Sequence, residues 1–282
     1  MRKFCLPILK ANEKTQKNDM EYRVVEQDIG LDIDAILQQC KVENDDDVAV
    51  ILLKPHNPAL LKDDKSFEIK IWGKPMFGWC LDALKKFPVT ELECDLNSDI
   101  FSTIKPHLKN HKYTCVFYAD TPLLQDQTVF AILDYIKAKK LSALKLERGW
   151  VFETESIKNG NNYSNITTYP MNKEEFFCVF NQSQLAIARE QLKKRIITKH
   201  LMNSVNILDT TSCFIDATAV LETGATIYPN NCILGKSKIE SGAVLKPFNT
   251  IENSTIKSNV VLESCIVKNK TVEKTPKPFS VL

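Results

Sequence analysis

The stretch from Phe214 to Ile251, FIDATAVLETGATIYPNNCILGKSKIESGAVLKPFNTI, repeats with a period of six residues. An aliphatic residue returns at every sixth position, and a small or compact residue lies two positions before each of them. Ordinary strands alternate with a period of two, so a six-residue period held over seven repeats predicts a parallel β-helix of short strands and tight corners. The aliphatic residues are Ile215, Leu221, Ile227, Ile233, Ile239, Leu245 and Ile251, and the compact ones are Cys213, Ala219, Ala225, Asn231, Ser237, Ala243 and Asn249.

The corners and the length of this repeat give two further expectations. Gly224 and Gly242 are eighteen residues apart, which is one coil of three strands, and glycine adopts corner conformations that other residues resist. After Ile251 the period slips by one residue, to Ile256. The repeat has room for about three coils, and a stack this short requires another domain or a second copy to cover its ends. We therefore predict a homotrimer or a hetero-association through the β-helix.

The sequence before the repeat alternates between strand-like and helical patterns. The apolar runs VAVILL, from Val48, and YTCVFY, from Tyr113, predict buried parallel strands. The patterns KPMFGWCLDALKKF, from Lys74, and DQTVFAILDYIKAKK, from Asp126, predict the helices that follow them. Strand, helix, strand and helix in this order predict an α/β domain that binds ligands at the carboxyl ends of parallel strands.

These patterns divide the chain into five segments. They are an N-terminal extension (1–46), an α/β domain (47–182), a basic linker helix (183–204), the β-helix (205–271) and a tail (272–282). The 37 basic and 35 acidic residues give a net charge of only +2, which argues against nucleic-acid and membrane partners. The nine cysteines stand singly, and no apolar run reaches the ~20 residues of a membrane helix, so we predict a cytoplasmic protein.

Three features upstream of the repeat are candidates for chemistry. Asp120 follows the second strand, where a carboxylate suits a divalent cation beside a triphosphate, or else caps the turn. His107 and His111 are four residues apart and could share a helix face as metal ligands, but their polar flanks favour a solvated surface. Trp72 and Trp79 could stack on a base, but their place beside an apolar helix favours the core.

The sequence from Asn181 to Gly235 resembles the linker helix and first coils of the bacterial N-acetylglucosamine-1-phosphate uridylyltransferase family, which are bifunctional sugar-nucleotide enzymes. The segments that carry the resemblance are QLAIA, HLMNSV, FIDATAV and ATIYPNNCILG. Farther upstream it thins to VAVILL, GKPM and YADTPLL, in the same order. The resemblance implies a Rossmann-like nucleotidyltransferase domain with a parallel sheet, followed by a short left-handed parallel β-helix.

The resemblance also implies roles for individual residues. It gives Asp120 the position of a ligand to the catalytic magnesium, and it gives Lys70 the position of a catalytic lysine that contacts phosphate. Lys54 and Lys62, or else Lys65, are the candidates for the basic residue that binds the nucleotide in the family's phosphate loop. For the second metal ligand, Asn181 is the candidate.

The chain also departs from the family pattern. The glycine-rich phosphate loop corresponds to LLKPHNPALLK, where Pro55 and Pro58 remove two amide donors. The second metal ligand of the family is an asparagine just before the linker helix, where counting gives Phe180, one place before Asn181. The segment that reads uracil in the family has no counterpart, and the coils that form its acetyltransferase site are absent from this sequence, so acetyltransferase activity is not expected.

Two interpretations follow from these agreements and departures. The favoured one is a degenerate relative that serves as a non-catalytic binding or oligomerisation protein. The alternative is an active magnesium-dependent uridylyltransferase, in which a sugar 1-phosphate oxygen attacks the α-phosphorus of a nucleoside triphosphate and pyrophosphate leaves.

Overall fold

The computed structural model describes residues 47–61, 65–95, 99–159, 166–170 and 173–282, and all of them belong to one compact unit. The predicted N-terminal extension lies outside the described residues. None of the described helices is long and apolar enough to cross a lipid bilayer.

The α/β part contains eight strands and four helices among the described residues, and a fifth helix leads out of it. The strands are β1 (Val48–His56), β2 (Lys70–Ile71), β3 (Lys74–Pro75), β4 (Val89–Asp95), β5 (Tyr113–Tyr118), β6 (Ala143–Leu146), β7 (Gly149–Glu153) and β8 (Thr167–Thr168). The helices are α1 (Met76–Leu84), α2 (Ile100–Ile104), α3 (Asp126–Lys139), α4 (Thr154–Lys158) and α5 (Gln182–Met202), with 3-10 turns at Ser66–Glu68, Lys105–His107 and Lys173–Phe176.

The main sheet has the strand order β4-β1-β5-β7-β6-β8. β1 runs parallel to β5, as predicted, and also to β4, which was not predicted, whereas β7 runs antiparallel to both β5 and β6. The antiparallel half was not predicted, and it follows from a two-residue turn, Glu147 and Arg148, that joins β6 to β7. This short turn sends the chain straight back along its neighbour, so no crossover helix is needed.

The central strand β1 is buried on both faces of the sheet. Val50 and Leu52 pack into one core with residues of α1 and α3, whereas Ile51 and Leu53 pack into a second core with Ile104 of α2. This two-sided burial explains why the strand reads as a continuous apolar run instead of an alternating one.

Helix α5 connects the α/β part to the repeat region, as predicted. Its first half packs through Leu185 and Leu192 into a cluster that includes Met76. Its last turns pack through Ile196 and Ile197 into the core of the repeat region. One helix therefore packs against a hydrophobic cluster of the α/β part and against the core of the repeat region.

The repeat region is a parallel β-helix, as predicted. Its twelve short strands form three parallel sheets of four strands each, which corresponds to four coils. About three coils were expected from the sequence. The strands are β9 (Asn206–Ile207), β10 (Phe214–Ile215), β11 (Val220–Leu221), β12 (Thr226–Ile227), β13 (Cys232–Leu234), β14 (Lys238–Ile239), β15 (Val244–Leu245), β16 (Thr250–Glu252), β17 (Thr255–Ile256), β18 (Val261–Leu262), β19 (Ile266–Lys268) and β20 (Thr271–Val272).

The period-six aliphatic residues form the core of this prism, and each is at most 5% exposed. The slip after Ile251 is absorbed at a corner, because Ile256 still pairs directly with Ile239 of the preceding coil. Two of the compact residues also bind backbone groups. The backbone amide of Asn249 donates to Asn231 Oδ1 at 3.2 Å, Asn231 Nδ2 donates to the Tyr228 carbonyl at 2.7 Å, and Asn231 is completely buried. A buried amide that joins successive coils in this way leaves fewer backbone groups without partners.

Candidate functional site

The candidate site lies where the direction of the sheet connections reverses. From β1 the chain passes to β4 on one side and then returns to β5 on the other. The carboxyl ends of β1 and β5 therefore form the topological switch point, where open α/β sheets bind ligands. The loop after His56 and the residues from Ala119 to Thr121 meet at this edge.

Asp120 lies two residues beyond β5 and is 4% exposed, so its carboxylate requires a partner. That partner is Arg148, from the turn between β6 and β7. The Arg148 Nε atom donates to Asp120 Oδ1 at 3.2 Å, and Nη2 donates to Oδ2 at 2.6 Å. Both carboxylate oxygens are thus engaged by one guanidinium in a bidentate pair.

Aromatic rings hold the guanidinium in place. The Arg148 Cζ atom lies 3.8 Å from the centroid of the Tyr118 ring and 5.2 Å from that of Phe180. Contacts of this kind between a guanidinium and a ring face are attractive and grow stronger when water is excluded. Burial raises the pKa of the Tyr118 phenol to about 12, so its ring is neutral at physiological pH.

Burial governs the protonation of the groups around this ion pair. Burial raises the pKa of Asp120, while the hydrogen bonds and charge of Arg148 act against that rise. The same effect raises the pKa of Cys94 to about 11 and that of Cys178 to about 12. Both cysteines are therefore neutral thiols, which are poor nucleophiles and poor metal ligands.

The stretch that corresponds to a phosphate loop is closed on itself. β1 continues to His56, three residues past the predicted end at Leu53, so this stretch begins as a strand. The amide of Asn57 donates to Ser66 Oγ at 3.0 Å, and the amide of Ala59 donates to Asn57 Oδ1 at 3.1 Å. The next two amides, of residues 60 and 61, donate to the Asn57 carbonyl at 3.1 and 3.2 Å. Every non-proline amide from 57 to 61 therefore has an acceptor within the chain.

Side chains fasten this loop to the start of the linker helix. Asn57 Nδ2 donates to the carbonyl of Phe180 at 3.0 Å, and Gln182 Nε2 donates to the carbonyl of Leu60 at 3.0 Å. The Phe180 amide in turn donates to Gln184 Oε1 at 2.8 Å. The space above the switch point is therefore bridged by hydrogen bonds between two parts of the chain.

Asn181, the candidate second metal ligand, is the N-cap of α5. Its Oδ1 atom accepts a hydrogen bond from the Gln184 amide at 2.9 Å, and its side chain is exposed. This is the ordinary role of asparagine at the first turn of a helix.

Lys54 and Lys70 are two of the candidate lysines that the structure describes. The Lys54 ammonium lies 3.3 Å from Glu91 and 3.7 Å from Glu93, and also over the rings of Phe67 and Phe77. Its charge is therefore already balanced by protein groups. Lys70 is exposed on the short strand β2, and Lys62 lies outside the described residues.

A cavity of about 290 Å³ opens beside the carboxyl ends of β1 and β4. It is lined by His56, Glu93, Cys94, Asp95 and Thr103. Of these, Glu93 already lies 3.7 Å from Lys54 and 3.6 Å from His56. Among the residues described by the structure, no group of three or more histidine, cysteine or acidic side chains is arranged to hold a metal ion.

The two candidate tryptophans have hydrogen-bond partners in the fold. Trp72 Nε1 donates to the Arg189 carbonyl at 2.7 Å, and Trp79 Nε1 donates to the Ile71 carbonyl at 3.0 Å. Both tryptophans pack against the hydrophobic cores on either side of α5, which agrees with the core interpretation. His107 is exposed at the end of a 3-10 turn.

The two residues that sequence reasoning missed are Arg148 and Asn57. Arg148 stands 28 positions from Asp120, and their meeting depends on the register of β7 against β5. The only local signal is an arginine in a short turn before Gly149. Asn57 lies between two prolines, a setting typical of a turn that binds its own backbone.

The chain was compared with protein-family models, curated proteins and solved structures. No protein-family model matches the chain. The chain is 33% identical over 114 residues to the bifunctional protein GlmU of Clostridium novyi (strain NT), which is 40% of this chain and 25% of that protein. It is 37% identical over 91 residues to GlmU of Clostridium tetani (strain Massachusetts / E88), which is 32% of this chain and 20% of that protein. The matched part thus spans at most about a quarter of these curated relatives.

Solved structures resemble about half of the chain. One is CMP:2-keto-3-deoxy-manno-octonic acid synthetase complexed with CTP, with a TM-score of 0.41 and 11% identity over 52% of this chain and 99% of that one. Another is 2-C-methyl-D-erythritol 4-phosphate cytidylyltransferase from Thermus thermophilus, with a TM-score of 0.37 and 11% identity over 51% of this chain and 98% of that one. The chain is thus similar to the GlmU proteins over about 40% of its length, and it joins a mixed-sheet α/β part to a parallel β-helix.

Proposed function

We propose that this chain is a non-catalytic relative of the sugar nucleotidyltransferases and serves as an assembly protein. The observation that carries the proposal is the closed loop after β1. All four non-proline amides from 57 to 61 donate within the chain, so none is free to bind a triphosphate. Nucleotidyl transfer depends on positioning and charge stabilisation, and a site without its amide cradle supplies neither.

The charges around the site support the same conclusion. Lys54, a candidate for the charge that would meet a triphosphate, already lies 3.3 Å from Glu91 and 3.7 Å from Glu93. The alternative, an active magnesium-dependent uridylyltransferase, requires the loop to release its amides and Asp120 to release Arg148. It is supported by the position of Asp120 at the end of β5, which is where the resemblance expects a metal ligand.

The first prediction concerns nucleotide binding. Calorimetric titration with UTP and excess MgCl₂ is expected to give no heat of binding up to millimolar nucleotide, and the other three nucleoside triphosphates are expected to behave alike. Micromolar binding that requires magnesium and is lost in Asp120→Ala would contradict the proposal and support the uridylyltransferase.

The assembly role rests on the contrast between two faces of the β-helix. The outer face of the sheet β11-β14-β17-β20 carries linked ion pairs, with Lys238 at 2.7 Å from Glu222 and Lys257 at 3.0 Å from Glu240. Such a face is well suited to water.

The outer face of the sheet β10-β13-β16-β19 carries one ion pair, Glu252 with Lys268 at 3.0 Å, and beside it a row with more apolar residues. Its aligned outward residues are Phe214, Cys232, Thr250 and Ile266, and Phe214 and Ile266 are 48% and 41% exposed. Three of the four residues in this row are apolar, and exposed apolar patches are typical of protein-protein contacts. We propose that this face meets a second copy of the chain, because such a contact would remove the exposed Phe214 and Ile266 side chains from water.

The second prediction tests this face. Ile266→Lys is expected to convert an oligomer into a monomer in light scattering or sedimentation, because a charge would be buried in the contact. Thr255→Lys, which places the same charge on the ion-paired face, is the matched control and should leave the mass unchanged. A wild-type chain that is a monomer at all concentrations would contradict the assembly role.

A further inference from the structure

Asp120 is where the resemblance places magnesium, and its surroundings test whether that ion fits. Magnesium takes oxygen ligands at about 2.1 Å and requires lone pairs that face the ion. Both Asp120 oxygens already accept hydrogen bonds from Arg148, at 3.2 and 2.6 Å. A dication would compete with the guanidinium for the same oxygens and would repel it. The residues present therefore do not fit a metal ion.

The second ligand position does not favour a metal either. Counting from the linker helix gives Phe180 where the family pattern has an asparagine, and an aromatic ring is not a magnesium ligand. Asn181, one place later, uses its Oδ1 atom to cap α5. Neither residue offers an oxygen to an ion beside Asp120.

The aromatic ring at position 180 lies beside the arginine at position 148. The Phe180 ring lies 5.2 Å from the Arg148 Cζ atom, and the Tyr118 ring lies at 3.8 Å. A guanidinium is attracted to the face of an aromatic ring. A hydrated dication is attracted less, because its bound water keeps it farther from the ring. The aromatic ring thus suits the guanidinium that lies beside it.

We propose that the Arg148 guanidinium takes the place of the divalent cation at Asp120, so that this strand end is assembled without metal. Arg148 neutralises the buried carboxylate and bridges β5 to the turn between β6 and β7. It does so with a covalently attached charge whose presence does not depend on cation concentration. This inference rests on the proposed non-catalytic function, and it specifies how the site is held together.

The third prediction tests the replacement by direct metal binding. Manganese binding is measured by electron paramagnetic resonance, and thermal unfolding is followed with EDTA and with excess MnCl₂. Wild type is expected to show no manganese binding that depends on Asp120 and the same unfolding midpoint in both solutions. Arg148→Ala is expected to bind manganese about tenfold or more tightly than wild type, since the competing charge is gone. The gain should vanish in Arg148→Ala/Asp120→Asn.

Two outcomes would overturn the inference. One is manganese binding by wild type that Asp120→Asn abolishes, a comparison that remains available if the Arg148 variants do not fold. The other is a folded Arg148→Ala that binds manganese no better than wild type. Metal-independent binding of UTP by wild type would instead contradict the proposed function and leave this inference standing, so the two failures are distinguishable.

Discussion

Gly149→Ala is expected to lower the free energy of unfolding by about 4 kcal/mol, because it adds both strain and a clash. Gly149 has φ +134, a backbone conformation that residues with a side chain rarely adopt. A Cβ atom there would lie 2.4 Å from the carbonyl oxygen of Val116, and a backbone atom cannot move aside as a flexible side chain can. Urea unfolding followed by circular dichroism measures the loss.

The matched control is Gly224→Ala in the β-helix. Gly224 also has a positive φ, +81, but the nearest atom to an added Cβ is 3.7 Å away. This control isolates the cost of the conformation, about 1 kcal/mol. Equal losses in the two variants would show that the close contact between β7 and β5 is not what requires a glycine at position 149.

The Gly149 contact also bears on the site. Gly149 pairs with Phe117 across β5 and β7, and it follows Arg148 directly. Close approach of the two strands at this point brings the β6–β7 turn beside Asp120. If the Gly149→Ala variant folds, its Asp120–Arg148 ion pair is therefore expected to be weaker than that of the wild type.

The β-helix could be predicted from the sequence in detail because its determinants are local and repeated. The residues at each period-six position are buried, and the slip before Ile256 occurs where the sequence placed it. In the α/β part, β1, β5, α1 and α3 each carry their own apolar pattern, so their existence was also predictable. β6 and β7 were not predicted, because a short antiparallel hairpin lacks the intervening helical pattern that indicates a parallel strand pair.

The site was predictable only in its local parts. The position of Asp120 follows from the strand that precedes it, and the absence of glycine between Pro55 and Lys62 follows from the sequence alone. The partner of Asp120 did not follow, since Arg148 reaches it through the pairing of β7 with β5. Likewise, the bond from Asn57 to the Phe180 carbonyl joins residues 123 positions apart.

Arg148→Met is expected to lower the free energy of unfolding by about 3 to 5 kcal/mol at neutral pH, because it leaves the Asp120 carboxylate buried without a partner. Methionine keeps an apolar chain beside Tyr118 and Phe180, so the loss reports mainly on the missing charge and its two hydrogen bonds. Asp120→Asn/Arg148→Met is the control. It should recover most of the loss, since a neutral amide is far less costly to bury than a carboxylate.

The loss in Arg148→Met should also depend on pH, and its sign follows from the pKa of Asp120. Burial raises that pKa in the wild-type protein, and without Arg148 only a backbone hydrogen bond opposes the rise. A carboxyl group whose folded-state pKa exceeds its unfolded value of about 3.9 stabilises the fold below that value, and the stability is lost as pH rises through the folded pKa. Arg148→Met should therefore be closest to wild type in acid and should fall away from it steadily toward neutral pH. Urea midpoints measured from about pH 4.5 to pH 8 test this. If the variant and wild-type curves run parallel, Asp120 has found another partner and the guanidinium is not what neutralises it.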